Sequence, residues 1–298
     1  MTAESTETAA LRERVRVLMP RAKEDLTELV AMRSVADPRQ FPPEECAKAA
    51  DFLVRAFTEA GLRDVRRVTT PDGTDAVVGH APGPEGAPTV LLYCHYDVQP
   101  PLDDAAWRTP PFEPTERDGR WYGRGAADCK GNIAMHLTAL RALGGPEGRG
   151  FPVNLKFVAE GSEEQGTAGL EELVPLQPDL FAADALRALT DHLTSAARVE
   201  VESAGRPFRA RTDGPAYRAL ATAFREAYGK DMVRAGQGGS IPLCNVLATH
   251  FPDAEIALIG VEEPGCLIHA PDESVDPSKI ERMALTEALF LSCYATPL

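Results

Sequence analysis

Four short stretches of this sequence gather side chains able to bind cations: Cys94-His95-Tyr96-Asp97, Asp128 in a glycine-rich run, Glu160-Gly161-Ser162-Glu163-Glu164, and His269 inside Cys266-Leu267-Ile268-His269-Ala270-Pro271-Asp272-Glu273. A histidine just past a strand can offer a ring nitrogen to a metal. A carboxylate two residues on can bond the other nitrogen, fixing the tautomer and raising basicity. His95 and Asp97 fit those roles, although an HxD pair by itself is more often a structural hydrogen bond. Asp128 follows Gly123 and Gly125 and precedes Gly131. Glycines permit close backbone approach, and a carboxylate there either caps the next helix or bridges two cations through its two oxygens. Glu163 and Glu164 repel unless something cationic shares the site. With a metal on one, the other is free to act as general base on water; a solvated acidic turn is the ordinary alternative. His269 supplies the second imidazole. Two His, a bridging Asp and a Glu form a mixed N/O set suited to Zn2+, and less often to Co2+ or Mn2+.

Such a set needs strands to deliver it, because sites in open α/β sheets gather at the carboxyl ends of strands. Residues 90–94 are a continuous apolar run, as expected for a strand covered on both faces. Residues 153–159 and 254–261 read as two more, and each of the three precedes a polar cluster. Shorter strands are expected at 65–68 and 76–79, around the turn Pro71-Asp72-Gly73. Helical spacing marks Leu11, Val15 and Leu18, then Leu26, Leu29 and Val30, with Pro20 as a kink or break between. Further helices are expected at 43–60, 131–143, 167–174, 213–228 and 277–294, the last capped by Asp276 with Pro277 at its first position. The expected fold is an α/β three-layer sandwich, with a mostly parallel or mixed sheet and helices on both faces.

At 298 residues the chain can bury one large core or two modest ones, and 44% hydrophobic with 26% charged residues is ordinary for a globular protein. The net charge of −14 argues against nucleic acid or an anionic membrane as partner. No apolar run reaches the ~18 residues a membrane span needs. The N-terminus shows no basic segment leading into an apolar one, so no export signal is expected. The six cysteines form no CxxC pair and read as reduced thiols, which places the chain in a cytoplasm with a small-molecule partner. Cys94, Cys129 and Cys266, beside the candidate ligands, read as packing residues; His136, His192 and His250 read as structural or exposed.

The strings YCHYDVQP, WYGRGAADCKG, EGSEE, GQGGSIP and IHAPDE closely resemble those of the co-catalytic zinc peptidases and deacylases. That family includes carnosinase-like dipeptidases, glutamate carboxypeptidase, succinyl-diaminopimelate desuccinylase and acetylornithine deacetylase. The wording is nearest the dipeptidase branch. The resemblance implies that His95 binds one zinc, Asp97 orients His95, and Asp128 bridges both metals with a cis peptide to Cys129. It makes Glu163 the general base, gives Glu164 and His269 the second zinc, and turns Gly238, Gly239 and Ser240 toward the substrate carboxylate or the developing oxyanion. The implied activity is two-zinc hydrolysis of the amide bond in dipeptides or similar small substrates. N-acyl amino acid deacylation, and a non-catalytic or single-metal remnant, stay open as alternatives.

One stretch departs from the family. There the chain runs from the paired glutamates through a helix into another core strand, whose terminal aspartate completes the His95/Asp128 site; a lid domain follows. Here residues 186–193 read as a helix and 198–202 as a strand, resembling only the far end of the lid. The expectation is an internal deletion: a first catalytic part at 1–185, a lid remnant at 186–205 and a second catalytic part at 206–298. With the lid largely missing, the sheet would lose a strand, the His95/Asp128 metal would lose a ligand, and the family's homodimer interface would be lost. Neither Asp184 nor Asp191 stands at a recognisable strand end.

Overall fold

Val90, Leu92 and Cys94 fall on one side of a strand and Leu91 and Tyr93 on the other, and both sets are buried, in two separate hydrophobic clusters. A strand with two buried faces must lie inside a sheet covered on both sides. The computed structural model of the chain has that architecture, and it describes residues 5–144, 150–166, 168–188, 208–233 and 242–295.

The chain opens with helices α1 (Thr6–Ala31) and α2 (Glu44–Glu59), followed by β1 (Arg63–Thr69), β2 (Asp75–Ala81) and β3 (Thr89–His95). Two short strands, β4 (Thr115–Arg117) and β5 (Arg120–Tyr122), precede α3 (Lys130–Gly144) and β6 (Asn154–Glu160). Then come α4 (Ala168–Leu176), β7 (Ala185–Ala188), α5 (Pro215–Tyr228), α6 (Pro242–His250), β8 (Glu255–Leu258), β9 (Ser274–Val275) and α7 (Pro277–Ala295). The main sheet runs β1-β2-β6-β3-β7-β8. Its strands β6, β3, β7 and β8 are parallel, and β2 pairs antiparallel with both β1 and β6. Helices α1, α2, α3, α5 and α7 cover one face, and α4 and α6 the other. The expected three-layer α/β sandwich with a mixed sheet is therefore the observed fold. In it His95 pairs with Glu160, so β3 and β6 deliver their polar clusters to one level of the same rim. A small sheet, β4-β5-β9, pairs Tyr122 with Ser274 and so ties the run before Asp128 to the turn carrying His269.

Two expectations are corrected. Of the kink or break expected at Pro20, the break does not occur: helix α1 runs continuously through it. The proline lies on the exposed face, while Leu11, Val15, Leu26 and Leu29 continue a buried stripe past it. Residues 186–188 are not helical but lie in β7, whose backbone pairs with β3 on one side and β8 on the other. The sheet accordingly has no gap at this point: an open slot between two parallel strands offers backbone partners on both edges, which outweighs the helix propensity of Leu and Ala. Asp184 sits at the start of β7, where its Oδ2 accepts the Thr89 N–H at 2.7 Å, at the opposite end of β3 from His95. It cannot serve the His95 rim. Asp191, His192 and the strand expected at 198–202 lie outside the described residues. No helix among the described residues is long and apolar enough to cross a membrane.

Candidate active site

The candidate residues converge at the carboxyl rim of β3 and β6. His95, the last residue of β3, is 1% exposed. Its Nδ1 lies 3.1 Å from the Asp97 carbonyl and 3.3 Å from Asp97 Oδ1, which turns Nε2 toward Asp128 Oδ1 at 3.0 Å and Glu163 Oε2 at 3.9 Å. Asp97 does more than face His95. Its two oxygens also accept the backbone N–H groups of Glu163, at 3.2 Å, and Glu164, at 3.0 Å. One buried carboxylate thus binds the end of β3 to the acidic turn after β6.

Asp128 is presented by the glycine-rich run ahead of α3, through a cis peptide to Cys129. Gly125 has φ +82°, and a Cβ there would meet Val98 Cγ1 at 2.6 Å, so no larger residue fits. The run is held by Glu273, which is fully buried. Its carboxylate accepts the Arg124 guanidinium at 2.7 Å and the N–H groups of Gly125, Ala127 and Asp128 at 3.0–3.1 Å.

His269 arrives on a turn in which Leu267, His269 and Asp272 all have φ between 53° and 62°. Non-glycine residues occupy that region only where their surroundings fix them. Here Asp272 is anchored by Arg108 and Arg117, and the Ser274 N–H donates to the Cys266 carbonyl. His269 Nε2 then lies 2.7 Å from Asp128 Oδ2 and 3.3 Å from Glu164 Oε1, while Gln99 Nε2 donates to Glu164 Oε2 at 2.8 Å.

The structure therefore brings together His95, Asp97, Asp128, Glu163, Glu164 and His269. Gly238, Gly239 and Ser240 lie outside the described residues. Gln99 and Glu273 were legible only as letters of the strings YCHYDVQP and IHAPDE, with nothing to say what they touch. Asn132 and Glu262 lie in no such string. Asn132 Oδ1 accepts the Val261 N–H at 2.9 Å and its Nδ2 donates to Glu262 Oε1, which carries a further carboxylate to this rim.

Two groups among the described residues have ligand atoms within 4.8 Å of one another: His95, Glu163 and Glu164, and Asp128, Glu164 and His269. Glu164 Oε1 is buried with no hydrogen-bond partner. Imidazole nitrogens facing carboxylate oxygens that protein donors leave under-satisfied are a donor set that divalent zinc fits. The neighbouring cysteines are free thiols whose pKa burial pushes up, Cys266 to about 11, and they stay protonated at neutral pH. His136 is buried between α3 and α7 against Glu287, and His250 is exposed, its ring against the Val246 carbonyl.

The electrostatics are those of crowded carboxylates. Burial, then the charges of Glu164 and Asp128 against the opposing pull of His95, push Glu163 up to about 7; burial and the Asp128 charge push Glu262 to about 8. Burial also raises Glu160, whose Oε2 accepts the Tyr93 hydroxyl, and Glu164. Burial pushes His269 down, but its hydrogen bond to Asp128 and the charges of Glu164 and Asp128 outweigh this and carry it to about 10. These shifts have a testable consequence. An unfolded glutamate loses its proton near 4.5, whereas Glu163 and Glu262 keep theirs to about 7 and about 8. Between those values the folded chain binds more protons than the unfolded one, so stability falls as pH rises. The opposing contribution of Lys130, whose pKa burial lowers to about 7, begins only above that pH. Chelator-treated protein is expected to melt at progressively lower temperature from pH 5 to pH 7, and saturating Zn2+ is expected to remove the decline. A metal-free melting temperature that rises over this range would contradict the carboxylate arrangement.

The chain matches peptidase family M20/M25/M40 over residues 91–292. The cysteinylglycine-S-conjugate dipeptidase of Corynebacterium striatum is 29% identical over 443 aligned positions, taking in 93% of this chain and 97% of that protein. Well over a hundred of those positions have no counterpart here, and since both proteins are covered nearly end to end, the shortfall is internal. The Cys-Gly metallodipeptidase dug1 of Schizosaccharomyces pombe is 36% identical over 169 residues, 54% of this chain and 35% of that protein. In fold, the chain is similar to the di-peptidase Dug1p of Saccharomyces cerevisiae (TM-score 0.82, 16% identity, 98% of this chain and 99% of that one) and to human carnosine dipeptidase 1 (TM-score 0.80, 17% identity, 96% and 99%). The sheet, its rim of ligand-type side chains and the family match agree, and the chain belongs to peptidase family M20/M25/M40.

Proposed function

We propose that the chain is a zinc-dependent dipeptidase, hydrolysing the amide bond of a dipeptide or a similar small substrate. The observation that carries the reading is the meeting of His95, Asp128, Glu163, Glu164 and His269 from four separate segments on one rim. The dipeptidase relatives support the substrate class. Asp128 lies between His95 and His269, one carboxylate oxygen toward each, as a bridging ligand between two cations would. Glu164 and His269 would hold the second cation, with Gln99 fixing the other oxygen of Glu164. A zinc pair there would acidify water and polarise the scissile carbonyl. Glu163, poised near neutrality and paired with no lysine or arginine among the described residues, would take a proton from the attacking water and return it to the leaving amine. Asp97 is a positioning residue for His95 and both glutamates.

The test is zinc content of the purified full chain together with its rates on dipeptides and on N-acyl amino acids. About two zinc ions per chain, with faster dipeptide cleavage, is the expected result. Faster cleavage of N-acyl amino acids would move the chain to the deacylases. Folded protein that takes up zinc and cleaves neither substrate class would make it a metal-binding remnant.

A further inference from the structure

A fourth glutamate reaches this rim from the far side. Strand pairing sets Leu92 of β3 level with Arg187 of β7, and Arg187 level with Ala257 of β8, so β8 leaves the sheet at the rim on which His95 stands. From there Glu262 folds its side chain back toward α3. Two features enforce the turn. Asn132, in the first helical turn beyond Asp128, accepts the Val261 N–H and donates to the Glu262 carboxylate, with its Nδ2 also 3.6 Å from Cys129 Sγ. Gly260 has no Cβ, and one built there would collide with the Glu262 carboxylate, so the missing side chain makes the space this oxygen fills.

The carboxylate is thereby held beside Asn132, four residues beyond Asp128. Among the described residues no lysine or arginine pairs with it; its side-chain donor is the neutral amide of Asn132. Carboxylates brought together at a half-buried rim repel unless a cation lies between them. The same Asn132 amide nitrogen that donates to Glu262 lies 3.6 Å from Sγ of Cys129, the residue joined to Asp128.

We infer that Glu262 is a protein ligand of the cation held by His95 and Asp128, delivered from β8 by the Asn132 clamp and the space at Gly260. This rests on the reading of the rim as a metal centre. A glutamate suits the task because its side chain is one methylene longer than that of an aspartate. It can therefore reach across from a neighbouring strand, and its second oxygen can keep the Asn132 hydrogen bond while the first turns to the metal. A purely structural Glu262 would serve only to bond Asn132, which glutamine does equally well.

The variants Glu262→Gln and Glu262→Ala separate these roles. Zinc content and step-wise affinity of the full chain are measured by elemental analysis and by competition with a chromophoric chelator, with circular dichroism of the metal-free proteins as the control for folding. The expected result is two ions in the parent. In both variants the weaker of the two should bind at least about tenfold less tightly, since even loss of a residue that only orients a ligand costs 10–100-fold, and the tighter should be unchanged. A glutamine variant with both affinities at the parent's level overturns the ligand role and leaves the metal centre standing. A parent chain that takes up no zinc overturns the metal centre and the ligand role together.

Discussion

Replacing Glu163 with glutamine is expected to lower kcat for dipeptide hydrolysis by about 10²–10⁴-fold, the range for loss of a general acid–base group, with zinc content unchanged. The substitution keeps size and shape and removes only the ability to take a proton. The position is suited to that role on three counts. Glu163 follows β6 on a turn fixed by Asp97, so its backbone is held independently of its side chain. Its Oε2 stands 3.9 Å from His95 Nε2, close to the proposed metal position without a hydrogen bond to the ring. Burial brings its pKa to about 7, where a base both accepts and returns a proton readily at neutral pH. The decisive measurement is steady-state hydrolysis beside zinc content on the same preparation. Lost activity with full zinc supports the base. Lost activity with lost zinc would make Glu163 a ligand instead, a role its grouping with His95 and Glu164 also permits geometrically. Undiminished activity would remove Glu163 from the chemistry.

What the sequence disclosed follows from which interactions are local. Strands β3 and β6 announce themselves because two buried faces require unbroken apolar runs, and the polar residues after them are legible because chemistry sits at strand ends. Helix α7 was read to within a residue because Asp276 and Pro277 are a local start signal. Strand β7 was missed for the converse reason: Leu186-Arg187-Ala188 has a helix former's composition, and only the backbone edges of β3 and β8, set far apart in sequence, make it a strand. The same distinction divides the site. His95 and Asp97 are two residues apart and their relation could be argued from spacing. Glu273 grips the loop before Asp128 from 145 residues away, and Asn132 reaches Glu262 across 130, so no spacing rule exposes them. The internal shortfall was visible as a broken resemblance, whereas its structural effect was not: the sheet closes over it.

Glu273→Ala is expected to destabilise the full chain by about 3–5 kcal/mol, the range for removing one partner of a buried ion pair. Glu273 has no exposed surface and Arg124 has 1%. Truncation would leave the guanidinium buried, its remaining partners among the described residues being the Pro100 carbonyl at 3.2 Å and the Trp107 ring, its centroid 5.3 Å away. It would also leave the N–H groups of Gly125, Ala127 and Asp128 without their acceptor. Each of these losses has its own control. In Arg124→Leu/Glu273→Leu the stranded charge is gone, so part of the stability should return, but the three backbone donors remain unsatisfied and recovery should stop short of the parent. Glu273→Gln keeps an oxygen for some of those donors while removing the charge, and should fall between the parent and the alanine variant. Denaturant unfolding of the four metal-free proteins ranks them, and an alanine variant within about 1 kcal/mol of the parent would show that this clamp does not hold the loop. The same carboxylate connects the two halves of the proposed metal centre. It lies four residues after His269, and it fixes the backbone amide of Asp128, the residue that faces both histidines. Loosening it should therefore weaken zinc at both positions together, unlike the selective loss expected at Glu262, because Asp128 is shared between them.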